Sequence, residues 1–531
     1  MQVLAIRSPS IINDLSTAIS PSLPIGLAYI IAAIEDLVEV EAVDPIAEKP
    51  FISQVTPFKN GTSILGLTPD EALAGVKTPP QLCLISSMFS MEWPITQLLI
   101  TRIRAKYPDC VIVGGGEHFS ATPEYSLRHS QLDVAVVGEG EGTIREFVRR
   151  LLDEDSIPLD VPGTVVKHPE TGEILTNDKR PRIREIHEIR YPAWQYFNVD
   201  RFLDSGISNT GNGLEGFRAM PIAASRGCPY KCTFCSNPNM WGVQWKARPP
   251  QDVLNEMKMW IEKYRINHFD FCDLTAIVKK SWIVDFCQLL IKENLGITWG
   301  LPSGTRSEAL DYEVLQLLGK SGCNDLDYAP ENGSEYILKI MKKRINKEKM
   351  LESMRDCARA GIKTKANIIF GYPEEKRKHV LETFVFIIKM AKAGIDDIIV
   401  TSLSAYPGSP LFTQLLDEGV ITMDEQYFLN LSSQGSLNVS PCYSKHYSKK
   451  EQYFYKMSGF AVFYLASLLF RPKRIYILIR DLLTRQGTTR LSMGLINISR
   501  RWLDRLRQKP GDPPSELAGA TAGGGTRQSA G

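Results

Sequence analysis

A chain of 531 residues is long enough for roughly three domains, each with its own core. Its 62 Lys and Arg nearly balance its 60 Asp and Glu, and a formal net charge of +2 gives no overall case for binding nucleic acid. Ten cysteines, seven of them scattered singly, do not make a disulfide scaffold, and the opening Met1-Gln-Val-Leu-Ala-Ile-Arg7 lacks the basic-then-apolar layout of a signal peptide. No apolar run reaches the roughly 18–20 residues of a membrane span, the closest being residues 460–470. The expected location is the cytoplasm.

Residues 1–160 alternate short apolar strands with amphipathic helices. Strands are expected at 3–6, 38–43, 82–87, 111–113 and 134–137, helices at 25–35, 92–107 and 143–152, and a Ser- and Pro-rich loop at 8–24. This order predicts a parallel, doubly wound sheet. Two strands run into glycine turns, Gly114-Gly115-Gly116 and Gly138-Glu139-Gly140-Glu141-Gly142. Such turns lie at the carboxyl ends of the strands, where open α/β sheets bind ligands, and glycine lets the backbone approach a bulky group. By themselves the glycines fit any nucleotide-like ligand, or none.

Residues 161–219 read as a linker containing a small hairpin, 163–167 with 173–175, and a loose polar stretch at 206–216. From 220 to 420 strand and helix alternate again, with strands expected at 219–225, 268–271, 298–301, 325–329, 365–370 and 397–403. The first delivers Ser225-Arg-Gly-Cys-Pro-Tyr-Lys-Cys-Thr-Phe-Cys-Ser236, a C-x3-C-x2-C spacing of Cys228, Cys232 and Cys235. A [4Fe–4S] cube ordinarily takes four thiolates, so three leave one iron open to another ligand. Phe234, between the last two cysteines, can shield such a cluster from water. Structural zinc is the main alternative, but it wants a second close pair of ligands, and the next cysteine and histidine, Cys272 and His268, stand apart. In a βα barrel the chemistry gathers at the carboxyl ends of the strands. Asp273, Thr275, Ser303, Arg306, Glu331, Asn332 and Gly371 fall there.

Residues 421–509 are expected to be helical. Aromatic and basic residues interleave over 453–507, which suits either a cap over the barrel mouth or a peripheral membrane contact. The Gly-, Ala- and Pro-rich tail 510–531 reads as disordered.

The cysteine spacing, preceded by Arg226-Gly227 and with Pro229-Tyr230 inside it, resembles the radical S-adenosylmethionine (SAM) superfamily. Leu23-Pro24-Ile25-Gly26, Val113-Gly-Gly-Gly-Glu-His118 and the turn at 138–141 look like the cobalamin-binding domain that precedes many such barrels. Tyr191-Pro-Ala-Trp194 and Tyr406-Pro-Gly-Ser-Pro-Leu-Phe412 are similar to segments found in that group. The resemblance implies an α/β chain with a Rossmann-like cobalamin domain, a partial (β/α)6 barrel and a mainly helical C-terminal region. It implies a [4Fe–4S] cluster on Cys228, Cys232 and Cys235. It places SAM near Phe234, Asp273, Ser303, Arg306, Glu331, Asn332 and Gly371, with Arg306 and Ser303 on its carboxylate and Glu331 on its amino group or ribose. It places cobalamin near Leu23, Pro24, Gly26, Ser86, Ser87, Gly115, Gly116, His118, Gly138, Glu139 and Gly140. The D-x-H-x-x-G loop that supplies an axial histidine elsewhere is absent, so His118 is not read as an axial ligand.

The activity so implied is reductive cleavage of SAM and methylation of an unactivated carbon in a small-molecule, lipid-like or tetrapyrrole-like substrate. Oxidative ring closure or rearrangement, as in the anaerobic Mg-protoporphyrin monomethyl ester cyclases, fits the same architecture. A non-catalytic cobalamin or Fe–S sensor would need a DNA-binding or oligomerising module, and no basic recognition helix is evident. A methylthiotransferase-like RNA enzyme would need more N-terminal cysteines than Cys83 and Cys110. The implied partner is a low-potential electron donor such as flavodoxin or ferredoxin, with no nucleic acid.

Overall fold

The computed structural model describes residues 1–13, 21–50, 53–58, 62–208, 216–306, 309–484 and scattered positions between 491 and 499. Most of the polar stretch 206–216, the basic stretch 500–507 and the tail lie outside these residues.

Five parallel strands, Glu39–Val43, Gln2–Arg7, Leu82–Ser86, Val111–Gly115 and Val134–Val136, lie side by side in that order. The hairpin Thr164–Lys167 and Ile174–Thr176 adds two antiparallel strands to the edge of the same sheet. The hairpin, expected within the linker, belongs instead to this sheet, because its pairing partner, 134–136, lies some thirty residues upstream. Helices Ile25–Ile34 and Gly140–Glu154 pack together on one face. The second starts inside the glycine turn and ends at Asp155, whose φ of 49° is left-handed.

A second departure is Ser10–Asn13, expected as loop. It pairs antiparallel with Thr62–Leu65, which in turn pairs with Ser53–Val55. Ile11 and Ile64 share an apolar cluster with Ile95 and Leu429, so the strand is stabilised by contacts far away in sequence.

Six strands form the second sheet, all parallel and in chain order: Ala219–Ile222, His268–Phe271, Thr298–Thr305, Cys323–Glu331, Lys363–Phe370 and Asp397–Ser402. Trp299 packs against Phe271 and Phe286 in the helical layer. Burial alternates along Lys363–Phe370: Thr364, Ala366, Ile368 and Phe370 are buried, while Lys365, Asn367 and Ile369 are partly exposed. Successive side chains of a strand point to opposite faces, so the inner face of the barrel is reached by solvent.

One apolar cluster runs from Leu27 and Ile31 of the first domain into Met220, Phe269 and Ile368 of the second, so the two sheets share a core. The C-terminal region is helical, as expected, and the first turns of its long helix bring Gln452 against Gly371. Lys449–Phe470 lies on the outer wall, against helix Arg377–Ala393 and the last strand. It starts at a Ser448/Glu451 capping box. By length and composition it is the one described helix that could cross a membrane. Lys449, Lys450, Glu451 and Lys456 interrupt the apolar run and hid this from a linear reading.

Candidate active site

The strand Ser225–Arg226 and the cysteine loop after it are anchored on several sides. From below, Asp273 accepts a hydrogen bond from Ala224 N at 3.1 Å and another from the Ser225 hydroxyl. Asp273 is buried, and burial pushes its carboxyl up to about 6. On one flank the Thr233 N–H donates to Met341 O at 3.0 Å, and Leu411 N donates to Thr233 O at 2.9 Å. The Thr233 hydroxyl also meets the Tyr372 hydroxyl. Gly227 has φ 86°, and a Cβ there would strike Gln244 O, so glycine is required.

The three cysteines are free and partly accessible on this loop. Among the described residues no three His, Cys, Asp or Glu side chains gather tightly enough to hold a single metal ion. Three cysteines on one loop, with no fourth Cys or His close by in sequence, suit three corners of an iron–sulfur cube better than one tetrahedral zinc. Burial pushes Cys235 up to about 12, with Cys232 and Cys228 adding to it, so this thiol gives up its proton when a cluster binds. Phe234 packs on the apolar cluster beneath the loop.

Two predicted charges converge beside Cys232. Glu331, on a bulge and with φ 66°, accepts from Lys343 Nζ at 2.9 Å. The Arg306 guanidinium stacks over the Tyr230 ring, 3.5 Å from its centroid, and donates to Arg344 O at 2.7 Å. Burial raises the Cys232 thiol, while Lys343 and Arg306 lower it and Glu331 raises it. These cations offset the thiolate charge, and the pair of signs matches the ammonium and carboxylate of an amino acid. Lys343 carried no recognisable signal in the sequence. Ser303 lies partly exposed in its strand.

Asn332 and Gly371 are placed differently from the expectation of direct SAM contact. Asn332 donates to Glu375 Oε1 at 2.8 Å and accepts from Ser334 N at 2.9 Å and Thr383 Oγ1 at 3.1 Å. Gly371 N donates to Glu375 Oε2 at 2.8 Å, and Tyr447 adds its hydroxyl to the same oxygen. Glu375 is fully buried and is the hub of this network. Both residues therefore position the mouth of the barrel; the Asn332 side chain and the Gly371 N–H are already used.

The polar floor of the barrel is a further group that sequence reasoning missed. Lys365 Nζ lies 3.0 Å from Asp325 and 3.4 Å from Asp327. Asp270 lies 3.1 Å from Ser208 Oγ and 3.3 Å from His268 Nε2. Burial, opposed by Lys365 and reinforced by Asp327, raises Asp325.

In the first domain, the three glycines of the first turn divide by cause. A Cβ on Gly114 would strike the Phe119 ring, and one on Gly116, with φ 110°, would strike Ser87 O. A Cβ on Gly115 or Gly26 would meet nothing within 4 Å. Gly115 thus needs no glycine for its own fold, and the open space in front of it fits a ligand that comes close. Ser86 is partly exposed next to it, and Met88 and Phe89 expose an apolar platform just beyond. Ser87 is buried and donates its N–H to Gly115 O at 3.0 Å. Leu23 and Pro24 are buried beneath the first helix.

His118 is a correction. Its ring is fully buried, stacked on Trp93, with Nδ1 3.1 Å from Ser90 Oγ and Nε2 3.3 Å from Ser126 Oγ. Burial pushes it down to about 3, so it stays neutral. It is a satisfied core histidine, with no ring nitrogen left for a cobalamin.

Glu139 is likewise turned toward the second domain. It accepts from Ile183 N at 2.8 Å and lies 3.5 Å from both Arg182 and Arg226. Arg226 pairs with Glu141 at 2.5 Å, between the rings of Tyr29 and Trp241. Gly138, with φ 83°, faces Met240 O, while Gly140 backs onto Ile30. The second glycine turn is thus the joint between the domains. Glu117, just after the first turn, sits beside Ser236 at the end of the cysteine loop, its carboxyl raised to about 7 by burial. Helix Glu117–Ala121, which follows the open cradle at Gly115, packs against helix Pro238–Trp241, which follows the cysteine loop.

A parallel cobalamin-type sheet joined to an open six-stranded barrel with three free thiols at its mouth defines a class: cobalamin-binding radical SAM enzymes. Comparison with known proteins agrees. The Radical SAM superfamily model matches residues 222–387 and the B12 binding domain model matches residues 16–148, and the chain belongs to the enzymes that combine the two. Its cofactors are accordingly a [4Fe–4S] cluster, SAM and cobalamin. It is similar to an uncharacterized methyltransferase of Pyrococcus horikoshii, 24% identical over 470 residues that cover 87% of this chain and 91% of that one. It is similar to the cytidylyl-2-hydroxyethylphosphonate methyltransferase of Streptomyces wedmorensis, 26% identical over 442 residues, 78% of this chain and 82% of that one. An anaerobic magnesium-protoporphyrin IX monomethyl ester cyclase of Rubrivivax gelatinosus is 26% identical over 325 residues, 60% of this chain and 56% of its own length. The fold is shared with the radical SAM methyltransferase TsrM of Kitasatospora setae, at TM-score 0.59, 17% identity and coverage of 78% and 76%. It is also shared with the cobalamin-dependent radical enzyme OxsB, at TM-score 0.61, 14% identity and coverage of 97% and 82%.

Proposed function

We propose that this enzyme transfers a methyl group to an unactivated carbon of a polar small molecule held in the barrel. The observation that carries the reading is the adjacency of the two sites: helix Glu117–Ala121, next to the open cradle at Gly115, packs against helix Pro238–Trp241, next to the cysteine loop. Bound there, the cluster supplies the electron that splits the SAM sulfonium, and cobalamin supplies the methyl group. The chain's own part is placement. Cys228, Cys232 and Cys235 hold three irons, Glu331 takes the SAM ammonium, and Arg306 and Lys343 take its carboxylate. Asp325, Asp327 and Lys365 offer hydrogen bonds to a polar substrate and are a poor floor for a lipid or a porphyrin. The exposed Lys231, Lys339, Lys342 and Arg344 flank the cysteine loop and suit an acidic electron carrier.

Anaerobic reconstitution with iron and sulfide, followed by SAM and dithionite with and without cobalamin, tests the reading. Formation of 5′-deoxyadenosine together with S-adenosylhomocysteine, the latter only with cobalamin, is the expected result. 5′-Deoxyadenosine without S-adenosylhomocysteine would move the assignment to oxidative cyclisation or rearrangement; the Rubrivivax relative is named a cyclase. Absence of both products would overturn it.

A further inference from the structure

The helix Lys449–Phe470 is inside out. Its buried stripe is Gln452, Lys456, Gly459, Phe463 and Ser467, spaced three and four apart and facing the barrel wall. The polar members are tied to protein: Gln452 Nε2 donates to Pro441 O at 2.8 Å, and Lys456 Nζ donates to Ser436 O at 2.5 Å and Asn438 O at 3.1 Å. The solvent side carries Phe454, Leu465 and Leu469, exposed by 65%, 69% and 76%. The next helix, Lys473–Thr484, is held at its start by Arg474 on Ile395 O and Gly394 O. It exposes Tyr476, Ile479 and Leu483, about one turn apart, by 71%, 51% and 80%. One exposed leucine is ordinary, but two successive helices whose outward residues are apolar mark a contact surface.

We propose that the outer face of these two helices seats the enzyme on an anionic lipid bilayer. The inner side of the long helix is fastened to protein, so it cannot be surrounded by lipid and lies along the interface. The charge selects the occupant. Lys473 is exposed beside the apolar face, and the sequence from Arg485 to Lys509 brings seven Lys or Arg against the single acid Asp504. Anionic headgroups attract that segment, whereas a second copy of the chain would set two basic surfaces against each other. The inference is independent of the catalytic reading, which stands or falls on the product assay above.

Flotation of the full-length protein with vesicles of phosphatidylcholine, alone or mixed with phosphatidylglycerol, tests it. Binding to the mixed vesicles at low salt, weakened by high salt and absent with phosphatidylcholine alone, is expected. Leu469→Glu and Leu483→Glu each lower the partition coefficient by about tenfold or more. Leu152→Glu, an exposed leucine on the first domain, leaves it unchanged and controls for nonspecific loss. The proposal is overturned if the wild-type protein floats with neither vesicle, or if all three variants bind alike. Dimers that form instead of vesicle complexes and dissolve in Leu469→Glu would also overturn it.

Discussion

Replacing Arg226 by methionine tests the joint between the two domains. The pair of Arg226 with Glu141 spans 2.5 Å, and each side chain is no more than a tenth exposed. Burial alone would raise Glu141, yet the charge and hydrogen bond of Arg226 more than reverse this and hold its carboxyl below the ordinary value. Taking one partner from a buried pair costs about 3–5 kcal/mol, because a desolvated charge is left behind. Against a domain stability of about 5–15 kcal/mol, that is a large fraction. The pH dependence identifies the cause. In the wild type Glu141 is depressed, so its contribution is full above the unfolded value near about 4.3 and is lost as pH falls through the folded value. In Arg226→Met the same carboxyl is raised by burial, so its penalty is relieved by protonation as pH falls. The deficit, read by urea denaturation followed by circular dichroism, is therefore largest at pH 8 and shrinks toward pH 5. Adding Glu141→Gln recovers about 1–3 kcal/mol of it at pH 8. A deficit below about 1 kcal/mol, or one equal at both pH values, would refute the reasoning.

A Cβ at Gly115 meets nothing within 4 Å, so Gly115→Leu fills the open cradle: cobalamin affinity, read by absorbance titration, falls at least about tenfold while the melting temperature holds; Gly114→Ala, which meets Phe119, lowers stability instead. Glu92 is buried with its carboxyl raised from 4.5 to about 7, so the folded protein keeps a proton that the unfolded chain releases, and stability falls as pH rises through that window. Glu92→Gln removes that fall: denaturation at pH 8 shows a gain of up to about 3 kcal/mol, and none at pH 4. Lys365→Met leaves Asp325 and Asp327 without their cation; substrate-free SAM cleavage persists, while methyl transfer drops by about tenfold or more, as product assays of both reactions will show.

The parts legible in the sequence are those whose signal is local. The C-x3-C-x2-C spacing and the alternation of strand and helix over 219–403 are read within windows of a few residues, and the six strands fall where expected. What stayed hidden depends on partners far away in sequence. Glu141 looks like part of a glycine turn, and nothing near it announces an arginine 85 positions on. Glu375 stands between Glu374 and Lys376 in what reads as a solvated charge run, yet Asn332, Gly371 and Tyr447 converge on it from three elements. His118 misled in the opposite direction. A histidine after a glycine turn is expected near the cobalamin, but Trp93 and Ser90, brought in from the preceding helix and the short turn before it, enclose it. Ser10–Asn13 was read as loop because one strand of an antiparallel sheet has no meaning without its partner at 62–65.

The anchoring of residues 224–236 fixes the backbone that carries the three cysteines. Asp273 fixes Ala224 and Ser225, Arg226 is clamped by the first domain, Gly227 presses on Gln244, and Thr233 is tied on both sides to Met341 and Leu411. The backbone is therefore positioned by groups that are not cluster ligands, and the ordering cost of the loop is met on folding and not when the cofactor arrives. The same anchors link the two cofactor regions. Arg226 is two residues from Cys228 and is gripped by the turn 138–141, so a shift of the first domain is transmitted to the first cysteine through one side chain. Chemistry that uses both cofactors in turn needs that distance held constant, and a buried ion pair flanked by Tyr29 and Trp241 is a stiffer spacer than the exposed linker at 177–190 could be.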